Sequence, residues 1–466
     1  MIADLKPYAE YKDSGLEWLG QVPSHWLIRR IKTVLRETDS RSVDGFGSLL
    51  SLTRVRGLIP RKDMTDKMHS AKTLVGYKRY RSGQVVMNRM QAWSGMFGAG
   101  EIDGLVSPDY AVFDVLGAHA IWLVLERLKT PDLVAQFASE SKGIGSGFNR
   151  LYSDRFGQIR ISLPPLDEQA VIVQFLDWTN RRLERAIRAK RKVIALLTEQ
   201  KQAIIQRAVT RGLDRSVRSK PSGLPWLGDI PQNWELTALR RYWRVADCKH
   251  LTVPFVDEGI ALASVTEVQN FSLNLDRCKK TKLEWFRILI DGDRRPKRGD
   301  LIYCRNVSVG ACALVETDSD FAMGQDVCLI RSQSQNQRFL NYFLRSPFMK
   351  HQVEQLLVGS TFKRINISEI KALTVLVPPR SEQDAICDFL DAELLRFDVA
   401  IERLGREIAL LREYRTRSIS DVVTGKLDVR EAAAHLPSRS AEVTQESGPD
   451  TLDREGHPDE TETEEV

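Results

Sequence analysis

Side chains able to reach phosphates and base edges are the chemistry this chain displays, and they come in two sets. The first set is Arg54, Arg56, Arg61 and Lys62, then Lys78, Arg79 and Arg81, then Asn88, Arg89 and Gln91. The second is Lys279, Lys280 and Lys282, then Arg294, Arg295, Lys297 and Arg298, then Arg305 and Asn306. Asn149 and Arg150 close one Gly-Ser turn, and Lys363 and Arg364 close its counterpart. Cationic groups neutralise phosphates, guanidinium pairs bidentately with guanine, and Asn or Gln amides match adenine, so these clusters suit the reading of DNA. A single arginine taken alone is better explained as a solvated surface residue. Recurrence at matching places carries the argument.

Catalytic chemistry is harder to find. Pro131-Asp132 followed by Glu140-Ser141-Lys142 has the spacing of a metal-dependent nuclease core. At the matching place, however, Pro347 is followed by Phe348 and Leu356 stands for Lys142, so a coincidence on a helix is the better account. Gly95, Gly98 and Gly100 could form a methyl-donor loop, yet no Asn-Pro-Pro-Tyr or Asp-Pro-Pro-Tyr element is present to hold a flipped base. Gly143-Ile144-Gly145-Ser146-Gly147 fits neither a phosphate loop nor a dinucleotide fingerprint. The seven histidines form no plausible cluster. All six cysteines (Cys248, Cys278, Cys304, Cys312, Cys328 and Cys387) lie in the second half without a Cys-x-x-Cys spacing, and they read as buried free thiols with no metal.

The elements that must position the basic clusters occur twice. Ser14-Gly15-Leu16-Glu17-Trp18-Leu19-Gly20, ending at Trp26, returns as Ser222-Gly223-Leu224-Pro225-Trp226-Leu227-Gly228, ending at Trp234. Pro164-Pro165-Leu166-Asp167-Glu168-Gln169 returns as Pro378-Pro379-Arg380-Ser381-Glu382-Gln383, and Val209-Thr210-Arg211-Gly212 as Val423-Thr424-Gly425-Lys426. Each copy is therefore a globular domain, a Pro-Pro stop and a long helix. Within the first domain, 49–52, 84–87 and 110–113 read as strands and 120–128 as a helix. In the second, 261–265, 300–303 and 327–330 read as strands and 338–345 as a helix. Ile187, Lys190, Ile194 and Leu197, and again Ile401, Leu404, Ile408 and Leu411, recur at three-four spacing among many charges. Such stripes predict two helices that seam against each other, and about 43 residues would span about 64 Å. Asp167 or Ser381 is placed to cap the first turn.

The fold class expected is α+β: two similar domains of mixed α and β structure, separated by a pair of long coiled-coil helices. The boundaries read as 1–163 and 216–377 for the domains, 164–215 and 378–430 for the helices, and 431–466 for an acidic disordered tail. That tail holds eleven acidic and two basic residues, so the formal charge of +6 leaves about +15 on residues 1–430. A body this basic attracts polyanions. With no signal peptide and no run of eighteen apolar residues, a cytoplasmic protein is expected.

Taken together, the chain resembles a specificity subunit of a type I restriction-modification enzyme over about 12–430. Two Pro-Pro-x-x-Glu-Gln motifs carry the resemblance, with Ile172 and Leu176 or Ile386 and Leu390 beyond them. Before them stand Gly145-Ser146-Gly147-Phe148-Asn149-Arg150 and Gly359-Ser360-Thr361-Phe362-Lys363-Arg364, and the Gly83 and Gly299 strand starts also fit. The resemblance implies a non-catalytic subunit that binds double-stranded DNA, with two target-recognition domains held apart by an antiparallel pair of helices and each domain reading half of a split target. It also implies two modification subunits that methylate adenine with S-adenosylmethionine, and restriction subunits that use ATP and Mg. The rival from another class is a coiled-coil scaffold with no DNA partner, and a stand-alone nuclease ranks below it.

Overall fold

A computed structural model of the chain describes residues 5–54, 56–64, 73–143, 149–269, 271–357 and 364–437. The Gly-Ser turn residues 144–148 and 358–363, and the acidic segment 438–466, lie outside the described residues. The chain divides into two compact units: Met1–Ile187 with Ala409–Val466, and Arg188–Ile408.

In the first unit, β1 (Leu35–Thr38), β2 (Gln84–Asn88), β3 (Phe97–Gly98) and β4 (Tyr110–Val115) form an antiparallel sheet in the order β1-β4-β2-β3. Alternation along β2 explains why it is central. Val85 and Met87 enter one core with Trp26, Phe113 and Leu123, while Val86 enters a second with Leu50, Leu52 and Tyr80. The helix α1 (Ile121–Leu128) and the helix Pro131–Glu140 cover the first face. Phe97, Phe113, Phe137 and Phe156 cluster there at centroid separations of 5.2–5.6 Å.

The second unit repeats this topology. Strands β5 (Arg244–Asp247), β6 (Leu301–Cys304), β7 (Cys312–Leu314) and β8 (Val327–Arg331) follow the order β5-β8-β6-β7. Leu301 and Tyr303 face one core, and Ile302 and Cys304 the other.

Two long helices were expected, and they run as α2 (Leu166–Arg211) and α4 (Arg380–Val423), with α3 (Gln337–Leu344) between them in sequence. Within the second unit Lys190 donates to Glu407 at 2.5 Å and Lys201 pairs with Asp398, an antiparallel register. Within the first unit Arg415 pairs with Glu184 at 3.2 Å in the same sense. Ile187 and Ile408 are buried, whereas Ile194, Leu197, Ile401, Leu404 and Leu411 are half-buried. The first-turn caps differ from expectation. Asp167 and Ser381 lie inside their helices, and the carbonyls of Pro165 and Pro379 accept the first helical N–H groups instead. Proline fixes the preceding backbone while leaving its carbonyl free for this role.

The repeated motifs meet at one place in each unit. The Gln169 side chain donates to the Pro164 carbonyl at 2.9 Å and accepts the Ala120 N–H at 3.1 Å, at the start of α1. Gln383 does the same with the Pro378 carbonyl and the Asn336 N–H, both at 2.9 Å, at the start of α3. Each buried amide thus fastens a long helix to a domain helix and satisfies groups that a helix start leaves unpaired. The closing motifs cross over: Val422 and Val423 sit in the first core, and Ala208 and Val209 in the second. Gly425 (φ +80°) lies where a Cβ would meet Pro23 at 2.6 Å, and Gly212 (φ +74°) where it would meet Glu382 at 2.8 Å. Only glycine suits both the left-handed backbone and the close approach.

Candidate nucleic-acid interface

Which basic side chains are free to meet a polyanion depends on what each already touches. In the first unit, Lys78 is 2% exposed and lies 3.2 Å from Asp39 and 3.6 Å from Glu37. Arg89 donates to Glu37 and to Ser153. Lys78 is a correction to the sequence reading, buried against carboxylates from β1 and the residue just beyond it, whereas Arg89 is tied to Glu37 and keeps part of its surface exposed. Arg61 donates to Ser51 at 3.2 Å, and Arg54 to the Ser94 carbonyl at 2.9 Å. Arg79 stands 3.6 Å from Asp44. The Asn88 amide is turned onto Gln91 at 2.8 Å. Arg150 lies 5.4 Å above the Tyr152 ring, with Asn149 exposed beside it. Arg56, Lys62 and Arg81 are exposed, and their side chains have no partner among the described residues.

In the second unit Arg305 is the matching correction: it is buried, lies 3.2 Å from Asp247 and contacts His250. Arg305 and Arg89 hold the same place just past the central strand. Their carbonyls accept the N–H groups of Ile365 at 2.9 Å and Leu151 at 3.0 Å, fastening the chain that leaves each Gly-Ser turn. Arg294 donates to the Asp247 and Asp291 carbonyls. Arg295 pairs with Asp320 at 2.6 Å and Arg298 with Asp318 at 2.7 Å. The Asn306 side chain accepts the Val307 N–H, and its backbone bridges exposed Arg364, whereas Lys363 lies outside the described residues. Lys279 lies over the Phe255 ring at 4.4 Å. Lys280, Lys282 and Lys297 have no side-chain partner among the described residues. Of the second set, Lys280, Lys282 and Lys297 are therefore the cations left unpaired, while Arg294, Arg295, Arg298 and Arg305 are each engaged with aspartates of the same unit.

The other chemistry weighed from sequence resolves into structure. Arg127 is fully buried and forks onto Asp132 at 3.0 and 2.7 Å, so the nuclease-like acid is one half of an ion pair. Burial alone would push the Asp132 carboxyl up, but Arg127 and Thr130 outweigh it and hold the group below the ordinary carboxylate range. Gly98 packs where a Cβ would meet Leu52 at 2.5 Å, an adequate reason for its residue type. Asp247, Cys248 and His250 bring ligand-type atoms within 4.8 Å of one another. The Arg305 guanidinium contacts two of them and supplies the positive charge there, which disfavours a metal ion. Sequence reasoning passed over two exposed aromatics, Phe46 and Phe255, because phenylalanine in a loop carries no spacing signal.

Comparison with known proteins agrees with this geometry. The family model for the type I restriction modification DNA specificity domain matches residues 121–191 and 253–410. The specificity subunit of the type I restriction enzyme MjaVIII from Methanocaldococcus jannaschii is 23% identical over 305 residues, covering 62% of this chain and 67% of that one. The EcoBI specificity subunit of Escherichia coli is 23% identical over 278 residues, and the alignment spans 57% of this chain and only 58% of that relative's length. A solved chain from work on complex assembly and conformational transition of the type I R-M system covers 86% of this chain and 98% of its own. At 15% identity and a TM-score of 0.60 it shares the fold. No described helix is long and apolar enough to cross a membrane. With a family model that falls on both halves and relatives that are themselves specificity subunits, the chain is similar in both halves to the specificity subunits of type I restriction enzymes.

Proposed function

We propose that this specificity subunit binds duplex DNA at a two-part target, each unit reading one part, and that modification subunits dock along its long helices. The observation that carries the reading is the repeated sheet, β1-β4-β2-β3 and β5-β8-β6-β7, with a separate set of unpaired cations on each copy. Two readers in one polypeptide suit a target with two halves. Because the chain between the repeated motifs differs, the halves differ. Docking of partners is supported by apolar side chains that the helices leave exposed: Val193, Leu196, Leu395 and Val399 in the second unit, Leu410 and Tyr414 in the first. In this reading S-adenosylmethionine belongs to the modification subunits, and ATP with Mg to restriction subunits.

The test is to produce the chain with its modification subunits and map methylated adenines on genomic DNA. A single two-part motif with a fixed spacer is expected. Replacing residues 12–163 by the matching segment of a relative should change one half of that motif only. A change in both halves, or methylation without any motif, refutes the reading. Affinity of the complex for duplex should also fall steeply with salt as counterions return, and a flat dependence counts equally against it.

A further inference from the structure

Both units present a phenylalanine to solvent from the same loop of their folds. Phe46 is 82% exposed and Phe255 is 55% exposed. Sheet register equates Thr38 with Ala246, and hence Asp39 with Asp247, because each precedes that acid opposite the matching residue of the central pair, Val112 or Leu329. Phe46 follows Asp39 by seven residues and Phe255 follows Asp247 by eight.

Neither ring can retreat easily, because the backbone on both sides is fastened. In the first unit Ser42 exchanges hydrogen bonds with the Tyr77 carbonyl and the Gly76 N–H, both at 2.8 Å. Asp44 then accepts from the Ser42 hydroxyl at 2.8 Å and from the Phe46 N–H at 3.2 Å. In the second unit the Pro254 carbonyl accepts from the Thr281 hydroxyl at 3.0 Å, and the Val256 N–H donates to the Lys280 carbonyl at 3.0 Å. These two bonds bracket Phe255. A loop that holds an aromatic ring outward forgoes the gain of burying it.

The surroundings indicate the occupant. The Lys279 ammonium lies over the Phe255 ring, and Arg277 and Lys280 line a cavity of about 450 Å³ beside it. Asp257 and Asp276 line the same cavity and offer acceptors of the kind that read a cytosine amino group. In the first unit Arg79, tied loosely to Asp44, stands in the corresponding neighbourhood, and Val43 is exposed beside Phe46. An apolar tip flanked by cations matches a nucleic-acid groove, where rings pack on thymine methyls or wedge at a base step while cations take the phosphates.

We propose that Phe46 and Phe255 are the base-contacting tips of the two readers, each entering the DNA groove at its own half of the target. This rests on the two-part reading above. The test uses the assembled methyltransferase complex carrying Phe46→Ala or Phe255→Ala, with methylation mapped on genomic DNA. Each variant should lose about tenfold or more in methylation rate, or relax the sequence requirement, in one half of the motif. The affected half should differ between the two variants. As a second readout, maleimide labelling of Cys278, which lines the Phe255 cavity, should slow several-fold with the cognate duplex. It should not slow with a duplex scrambled in the half affected by Phe255→Ala. Variants that assemble and methylate the original motif at the original rate overturn the proposal while leaving the two-part reading standing. Loss of the modification subunits from either variant also overturns it, by making the ring a protein contact. A parent complex that recognises no two-part motif ends both.

Discussion

Replacing Glu168 by alanine should destabilise the first unit far more than the equivalent change, Glu382→Ala, destabilises the second. Glu168 is 5% exposed and accepts from the Tyr8 hydroxyl at 2.5 Å and the Trp26 indole at 3.1 Å, with His25 at 2.6 Å on its other oxygen. Burial, and then the hydrogen bond to this carboxylate, push the Tyr8 hydroxyl well up, so it stays a donor. Alanine would strand two buried donors at about 1–3 kcal/mol each. Together with the partly solvated His25 contact, the loss comes to roughly 3–5 kcal/mol. For a unit of this size that is roughly 6–20 °C in melting temperature. Among the described residues Glu382 accepts only from the exposed Asn233 amide at 3.3 Å, and the Trp234 indole has no hydrogen-bond partner to lose. Its replacement should therefore cost under about 1 kcal/mol. Differential scanning calorimetry of the purified chain would separate the cases, and Glu168→Gln, which keeps one acceptor, should fall between them. Equal shifts for the two alanine variants would refute the reasoning.

Asp132→Asn should cost about 2–4 kcal/mol at neutral pH by leaving buried Arg127 without its carboxylate. Since the Asp132 carboxyl is held below its ordinary value in the fold, that stability is present above about pH 4 and is lost as pH falls through the lowered value. Stability curves for variant and parent should thus converge in acid, and a gap that stays constant to pH 2 would contradict the ion-pair account. Burial pushes the Cys304, Cys312 and Cys387 thiols up to about 12, so at pH 8 they are protonated as well as shielded. Half-buried Cys278 should then react first with a thiol reagent on the native chain, and rapid reaction of several thiols would show the second core to be looser than described. Inserting four residues at equivalent places near Lys190 and Leu404, about 6 Å of helix, should lengthen the recognised spacer by about one to two base pairs. A folded, assembled variant that still methylates the original spacer would show that helix length does not set it.

Much of the fold was legible because its signals are local. The β2 and β6 runs alternate between two buried faces, and the long helices announce themselves by charge, three-four spacing and a Pro-Pro stop. The repeat itself gave the two sheets their common topology. Contacts between distant segments were not legible, and they decided the site. Lys78 and Arg56 look alike in sequence, but Glu37 and Asp39 come from some forty residues away to take Lys78 inside, and none of the described residues pairs with the Arg56 guanidinium. Glu168 and Glu382 occupy the same motif, yet only the first meets Tyr8 and a histidine. The closing motifs, read as the ends of their own copies, pack instead in the core of the domain that the opposite copy supplies. By itself the sequence determined the repeated elements, the long helices and the basic character. Which cations remain free, and that Phe46 and Phe255 stand in solvent, was decided by tertiary structure, because burial and pairing depend on what arrives from elsewhere in the chain.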